Sequence, residues 1–122
     1  MPLSAVELFQ AGSRLEDTTY LRRLFSLYAN STALRGNVVD GVSKLKQQLN
    51  GDIVVYASFQ LVRPLLEHDL VDELRLLIYP VVLGAGERLF GETSDKKPMR
   101  LRDIRTLGGG LVFLTYEPFR DD

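Results

Sequence analysis

The chain has 122 residues, of which 45% are hydrophobic and 25% charged, and its formal net charge is -1. This balance predicts one globular domain, residues 1–122, and argues against partners such as nucleic acid or an acidic membrane surface. The absence of cysteine, a single histidine and the lack of any long apolar run argue against disulfides, metal sites and a membrane span, so we expect a cytoplasmic protein.

The first 29 residues predict an atypical helical segment. Ala5–Phe9 reads as a short helical piece, and Gly12 follows it as a breaker. A longer helix is predicted further on, because apolar residues recur there at spacings of three and four: Leu21, Leu24, Phe25 and Tyr28. Residues 31–34 then read as a short strand.

A second helix is predicted after Asn37, which occupies the N-cap position. One face of this helix is apolar and contains Val38, Val42, Leu45 and Leu49. The pair Asn50 and Gly51 is typical of a helix end.

The middle of the chain predicts a strand, a helix and a second strand. Residues 53–56 form an apolar β-branched run that predicts a strand. Residues 59–68 have the pattern of an amphipathic helix, and residues 73–80 have the two-residue periodicity of a strand. Pro64 is a misfit, since it must remove a helical hydrogen bond unless the helix begins later. The order of elements implies a parallel crossover.

Two further strands, 99–107 and 111–119, flank a run of three glycines and predict an antiparallel hairpin. The fold class predicted from the whole chain is therefore α/β, with a mixed, mostly parallel sheet, flanking helices and a C-terminal antiparallel hairpin.

Ala57 and Ser58 occupy the turn between the strand 53–56 and the helix that follows. A helix N-terminus at the end of a buried strand favours an anion, because its backbone N–H groups and the positive end of its dipole face outward. The turn is therefore a candidate phosphate site. The alternative is that Ser58 merely caps the helix.

The stretch "GDIVVYASFQLVRPLLEHDLVDELRLLIYPVVLGAGERLF", with "LTYE" downstream, resembles the C-terminal half of dihydrofolate-reductase-like proteins. These proteins are related to the reductase domain of bacterial riboflavin biosynthesis. The resemblance covers residues 30–122, and it implies that the family's N-terminal part is either missing or replaced by the helical segment 1–29. It implies a dihydrofolate-reductase-like fold, NADPH as cofactor and a homodimer.

The resemblance also implies a cofactor-binding set at the turn and the start of the helix: Ala57, Ser58, Phe59, Gln60 and Leu61. It implies an NADPH-dependent oxidoreductase acting on a pteridine-, pyrimidine- or flavin-like heterocycle. No residue is identified as catalytic. The alternative is a truncated, non-catalytic oligomeric or binding protein that retains the C-terminal half of the reductase fold.

Four other groups of residues suit ordinary structural roles better than chemistry. Residues 84–87 resemble part of a phosphate loop but favour a tight turn. The carboxylates at 69–73 favour local ion pairing over metal binding. His68 favours a helix-capping role over catalysis. A basic cluster could grip a 2′-phosphate but favours an exposed, charged sheet edge: Lys96, Lys97, Arg100 and Arg102.

Overall fold

A computed structural model of the protein describes residues 5–8, 34–56 and 58–120. The chain divides into two compact units, Met1–Val62 and Arg63–Asp122. The regular elements in chain order are β1 (Ala5–Leu8), α1 (Val38–Gln48), β2 (Asp52–Val55), α2 (Phe59–Glu67), β3 (Leu74–Ile78), β4 (Met99–Thr106), a 3₁₀ turn (Gly108–Gly110) and β5 (Val112–Pro118).

β1 and β2 form a parallel pair in the first unit, with Ala5 opposite Asp52 and Leu8 opposite Val55. The prediction of a helical piece at Ala5–Phe9 is therefore wrong for its described residues. Five residues are too few for periodicity to separate helix from strand, and here pairing with β2 decides the outcome. The rest of the helical prediction for residues 1–29 lies outside the described residues. Of the strand predicted at 31–34, only Leu34 is described, and it belongs to no strand.

α1 begins where the sequence predicts. The Asn37 side chain accepts hydrogen bonds from the backbone N–H groups of Val39, at 2.9 Å, and Asp40, at 3.2 Å. These bonds satisfy two of the donors that a helix N-terminus leaves open. Val42 is the buried residue of the predicted apolar face, and Leu49 forms the C-cap.

α2 also begins where the sequence predicts, and Pro64 lies inside it. The predicted amphipathic helix buries one side, which contains Val62, Leu65 and Leu66. The helix ends in a Schellman motif, because Leu70 N–H donates to Leu65 and Asp69 N–H donates to Leu66. Asp69 takes the left-handed conformation, at φ +55°, that this motif requires.

The second unit contains an antiparallel sheet in the order β3-β5-β4. Leu76 pairs with Leu114 across one ladder, and Ile104 pairs with Leu114 across the other. The predicted α/β class and the C-terminal hairpin are confirmed. The mostly parallel sheet is not confirmed, since the described ladders are one parallel pair and two antiparallel pairs. β2 pairs with β1 and not, in the described residues, with β3.

Among the residues that the structure describes, no helix is both long enough and apolar enough to cross a membrane.

Candidate functional site

The turn between β2 and α2 holds a residue in a rare backbone conformation. Ser58 has φ +38°, in the left-handed region that L-residues seldom adopt and that glycine adopts freely. Residues held this way cost of order 1–3 kcal/mol and are concentrated at functional sites. Ala57, the other predicted turn residue, lies outside the described residues.

The Ser58 carbonyl accepts the first hydrogen bonds of α2, from the N–H groups of Leu61, at 2.9 Å, and Val62, at 3.0 Å. Ser58 is therefore the N-cap residue by hydrogen-bond position, although an N-cap usually has extended φ and ψ. Its conformation sets it apart from Asn37 of α1, which has φ -71°. Ser58 therefore caps the helix, and its unusual backbone also leaves open the predicted role in a binding turn.

The first turns of the two helices differ in charge. α1 carries Asp40 in its first turn, whereas α2 has no acidic residue there. A carboxylate in the first turn compensates the positive end of the helix dipole, and α2 lacks this compensation from its own side chains. The N-terminus of α2 therefore favours an external anion more than the N-terminus of α1 does.

The described members of the predicted cofactor-binding set, residues 58–61, lie together at this helix start. Phe59 and Leu61 are half-buried, and Gln60 is exposed. Sequence reasoning missed Tyr56, which directly follows β2 and has 55% of its surface exposed. The apolar run Ile53–Tyr56 reads as one buried strand, and no signal in it separates the last residue. An exposed aromatic ring at this position can stack on a planar group.

The first unit also has a shallow groove of about 400 Å³ beside the start of α1, away from the turn. Its lining mixes both signs of charge, with Arg35 and Lys44 near Asp40. None of the predicted cofactor residues that the structure describes, 58–61, lines this groove, and its lining indicates no particular ligand.

The glycine-rich stretch Gly84–Glu87 is a turn and not a phosphate loop. Gly84 and Gly86 have φ +73° and +152°, and no helix follows before β4 begins at Met99. A phosphate loop needs a helix N-terminus directly after it, so the tight-turn reading is the one that fits.

The carboxylates of the loop between α2 and β3 are paired with cations. Lys97 lies 3.2 Å from Asp69, Arg120 lies 2.6 Å from Asp72, and Arg75 bonds Glu73. Arg120 also donates to the carbonyls of Asp69 and Val71, each at 3.2 Å. The described residues contain no group of three or more ligating side chains placed to hold a metal ion.

Three of the four basic residues considered as a 2′-phosphate grip make other contacts. Lys97 bonds Asp69 and the Glu67 carbonyl, and Arg102 pairs with Glu117 at 3.3 Å. Arg100 lies over the Phe119 ring, 4.7 Å from its centroid. These contacts support the reading of an exposed, charged sheet edge.

Glu67 at the end of α2 has its pKa lowered from the ordinary value of 4.5. The largest cause is a hydrogen bond from the Ser94 side chain, and the second is the Ser94 backbone N–H, whose nitrogen lies 3.1 and 3.2 Å from the two carboxylate oxygens. The charges of Lys97 and His68 add to the effect. His68 is exposed after the last residue of α2, and its place at the helix end suits the predicted structural role better than catalysis.

Arg63 holds the segment that contains Leu89 and Phe90, the last two residues of the stretch that resembles the family. Its guanidinium donates to the carbonyl of Leu89, at 3.3 Å, and to that of Arg88. Gly91 lies against the same side chain, because a Cβ at this position would be 3.2 Å from Arg63 Cδ. The glycine allows this close approach of the Arg63 side chain.

Comparison with known families tests the resemblance to reductase domains that the sequence pattern and the α/β fold indicate. The sequence profile that defines the RibD C-terminal domain matches residues 11–113. The chain belongs to the RibD C-terminal domain family. The match includes the turn at Ser58, all of α2 and the hairpin as far as β5.

Two proteins of Bacillus subtilis strain 168 are similar in sequence. The uncharacterized protein YyaP is 35% identical over 83 residues, which are 68% of this chain and 44% of YyaP. The uncharacterized protein YwjB is 32% identical over 66 residues, which are 54% of this chain and 38% of YwjB. The chain therefore aligns with less than half the length of either relative.

Two crystal structures share the fold. A protein named for riboflavin biosynthesis, from Shewanella sp. PV-4, superposes with a TM-score of 0.68 at 19% identity, over 95% of this chain and 60% of that protein. A pyrimidine reductase-like protein from Corynebacterium diphtheriae gives a TM-score of 0.63 at 20% identity, over 96% and 50% of the two chains. At these identities the likeness shows the fold alone. The chain is a reductase-like domain in its fold and family.

Proposed function

We propose that the chain is an NADPH-dependent reductase domain that acts on a pteridine-, pyrimidine- or flavin-like heterocycle. The observation that carries the proposal is the left-handed Ser58 at the start of a helix whose first turn has no carboxylate. This combination brings backbone N–H groups and a positive dipole end to the tip of a strand, in a family of reductase domains.

The residues around the turn fit a dinucleotide. The start of α2 would hold the pyrophosphate, and Ser58 and the exposed Gln60 offer polar atoms beside it. Tyr56 offers an exposed ring for a planar group. When bound, NADPH supplies the hydride. The chain's own task is to position the two reactants and to exclude water between them.

The proposed substrate class is argued from the names of proteins that share the fold. One structural neighbour is named for riboflavin biosynthesis and the other as pyrimidine reductase-like, and both names refer to those proteins. Planar nitrogen heterocycles are common to both names. We extend this class, and a cytoplasmic location with access to NADPH, to the present chain as part of the proposal.

Binding is tested by the melting temperature of the protein with and without NADPH, in the wild type and in two variants of one residue. Ser58→Asp and Ser58→Asn have similar shapes, both tolerate a left-handed φ and both can cap a helix, so they differ mainly by one negative charge. NADPH at about 100 times its dissociation constant should stabilise the wild type by about 2.7 kcal/mol.

We expect Ser58→Asn to retain most of this stabilisation and Ser58→Asp to lose it. Equal NADPH affinity in the two variants would show that the pyrophosphate does not lie at this turn. No stabilisation of the wild type by NADPH or NADH would reject dinucleotide binding altogether.

Turnover is tested by NADPH absorbance with dihydrofolate, an aminopyrimidine riboflavin precursor and a set of flavins. Oxidation that depends on one heterocycle and is lost in Ser58→Asp would support the reductase. Binding of NADPH without turnover on any heterocycle would instead favour a non-catalytic dinucleotide-binding protein.

A further inference from the structure

The connection between β3 and β4 is long and irregular. Residues 79–98, all within the part of the chain that the structure describes, belong to no helix or strand. A connection of this length without secondary structure is uncommon in a compact domain and is usually either functional or disordered. Its second half, residues 88–97, is attached to α2 by hydrogen bonds, and we call it the strap.

Two side chains of α2 hold the first part of the strap. The Arg63 guanidinium donates to the carbonyls of Arg88 and Leu89. The Glu67 carboxylate accepts from the backbone N–H of Ser94, whose nitrogen lies 3.1 and 3.2 Å from its two oxygens. Arg63 and Glu67 are four residues apart, so they lie on the same side of the helix, about 6 Å apart along its axis.

A side chain of the strap itself holds the last part. Lys97 donates to the Glu67 carbonyl and to the Asp69 carboxylate, each at 3.2 Å. The attachment points therefore follow the same order along the strap and along α2. The strap lies beside the helix from its middle to its end.

The strap buries little apolar surface. Leu89 and Lys97 are half-buried, and every other residue of the strap is exposed. Segments with few buried apolar contacts and exposed hydrogen bonds open locally, at a free energy well below that of global unfolding. In contrast, Leu65 of α2 is buried, and it lies on the opposite side of the helix from Arg63, about 200° around the axis. The helix should therefore remain folded when the strap leaves it.

We propose that the strap opens from α2 and closes on it as a unit, while α2 and the sheet of the second unit stay folded. Each attachment keeps the partners of the others within reach, which raises their effective concentration. Loss of the bonds of Arg63 should therefore weaken the bond of Ser94 further along the strap. Opening frees the charged side chains of Arg63 and Glu67 for other partners. The proposal is independent of the proposed enzymatic activity.

The test is hydrogen exchange of the Ser94 amide, followed by NMR in the full chain at urea concentrations below the unfolding transition. This amide reports on the strap because Glu67 holds its hydrogen. Local opening exposes little surface, so the exchange rate of Ser94 should be nearly independent of urea. The exchange rates of protected amides in β5 should instead rise with urea.

Arg63→Met removes the donors of Arg63 and should raise the exchange rate of Ser94 by about fivefold or more. Arg105→Met is the matched control, since Arg105 pairs with Asp103 on β4, and it should leave this rate unchanged. Lys97→Met releases the other end of the strap and should also accelerate exchange, which keeps the test valid if Arg63→Met does not fold. Circular dichroism checks the folding of each variant.

Two results would overturn the proposal. If exchange of Ser94 rises with urea as steeply as exchange in β5, the strap opens only when the whole unit unfolds. If the folded variants Arg63→Met and Lys97→Met leave the exchange rate of Ser94 unchanged, the attachments open separately and the strap is not a unit.

Discussion

Lys97 is bonded to Asp69 across a gap of 28 residues, with Nζ 3.2 Å from Oδ1 of the carboxylate. The same ammonium group donates to the Glu67 carbonyl, also at 3.2 Å, and only 24% of the lysine side chain is exposed. A cation at this position suits the negative end of the α2 dipole. Lys97 thus links the start of the hairpin to the end of the helix.

Lys97→Ala should lower the free energy of unfolding by about 1–3 kcal/mol, because it removes two charge-assisted hydrogen bonds from a partly buried site. Urea unfolding followed by circular dichroism measures the change. Lys96→Ala serves as the control and should stay within about 0.5 kcal/mol of the wild type. Equal losses in the two variants would show that the bonds of Lys97 contribute nothing specific.

Glu67 predicts a pH dependence of stability. Its pKa is lower in the folded chain than the ordinary value of 4.5, so its contribution is present above about pH 4.5 and is lost as the pH falls through the folded pKa. The wild type should therefore lose stability more steeply below pH 4.5 than Glu67→Gln does. Melting temperatures from pH 3 to 7 measure this, and Glu92→Gln, an exposed carboxylate, should follow the wild type.

Gly91→Ala should destabilise the second unit by about 1 kcal/mol or more. The added methyl would lie 3.2 Å from Cδ and 3.3 Å from Nε of Arg63, so the side chain must shift by a few tenths of an ångström, which we expect to weaken its bonds to the carbonyls of Arg88 and Leu89. Gly108→Ala is the matched control, since a Cβ there meets nothing within 4 Å. Thermal unfolding in which both variants behave alike would contradict the clamp by Arg63.

The backbone of Ser58 predicts an unusual order of preference among substitutions. Glycine should be tolerated there with little change in stability, and Ser58→Val should be at least about 1 kcal/mol less stable than Ser58→Gly, because a β-branched residue strongly resists positive φ. Ser43, inside α1, provides the control. There glycine should be no better than valine, since glycine is the poorer helix former. The same order at both positions would contradict the left-handed conformation of Ser58.

Local patterns in the sequence predicted most of the described elements. Asn37 marks the start of α1, and the apolar spacing in α2 identifies its buried side despite Pro64. These features depend on neighbours within four residues, which is the range that sequence periodicity reports. The hairpin was equally accessible, because three glycines separate two strand-like runs.

Pairing between distant segments was not accessible from such patterns. Nothing in Ala5–Leu8 itself specifies β2 as its partner, and the position of β3 beside β5 depends on the whole sheet. The ion pairs of Lys97 and Arg120 join residues 28 and 48 positions apart. At the candidate site the sequence located the turn, but a serine gave no indication of the positive φ that the structure assigns to it.

The bonds of Arg120 bear on the order in which the second unit folds. Its guanidinium reaches Asp72 across 48 residues and also binds the carbonyls of Asp69 and Val71. We therefore expect the loop from Asp69 to Asp72 to reach its final form only after β4 and β5 have formed and brought Arg120 beside it. Closing so long a loop costs entropy before its contacts give any return. During refolding, the backbone amide of Leu70 should gain protection from hydrogen exchange later than the amides inside α2.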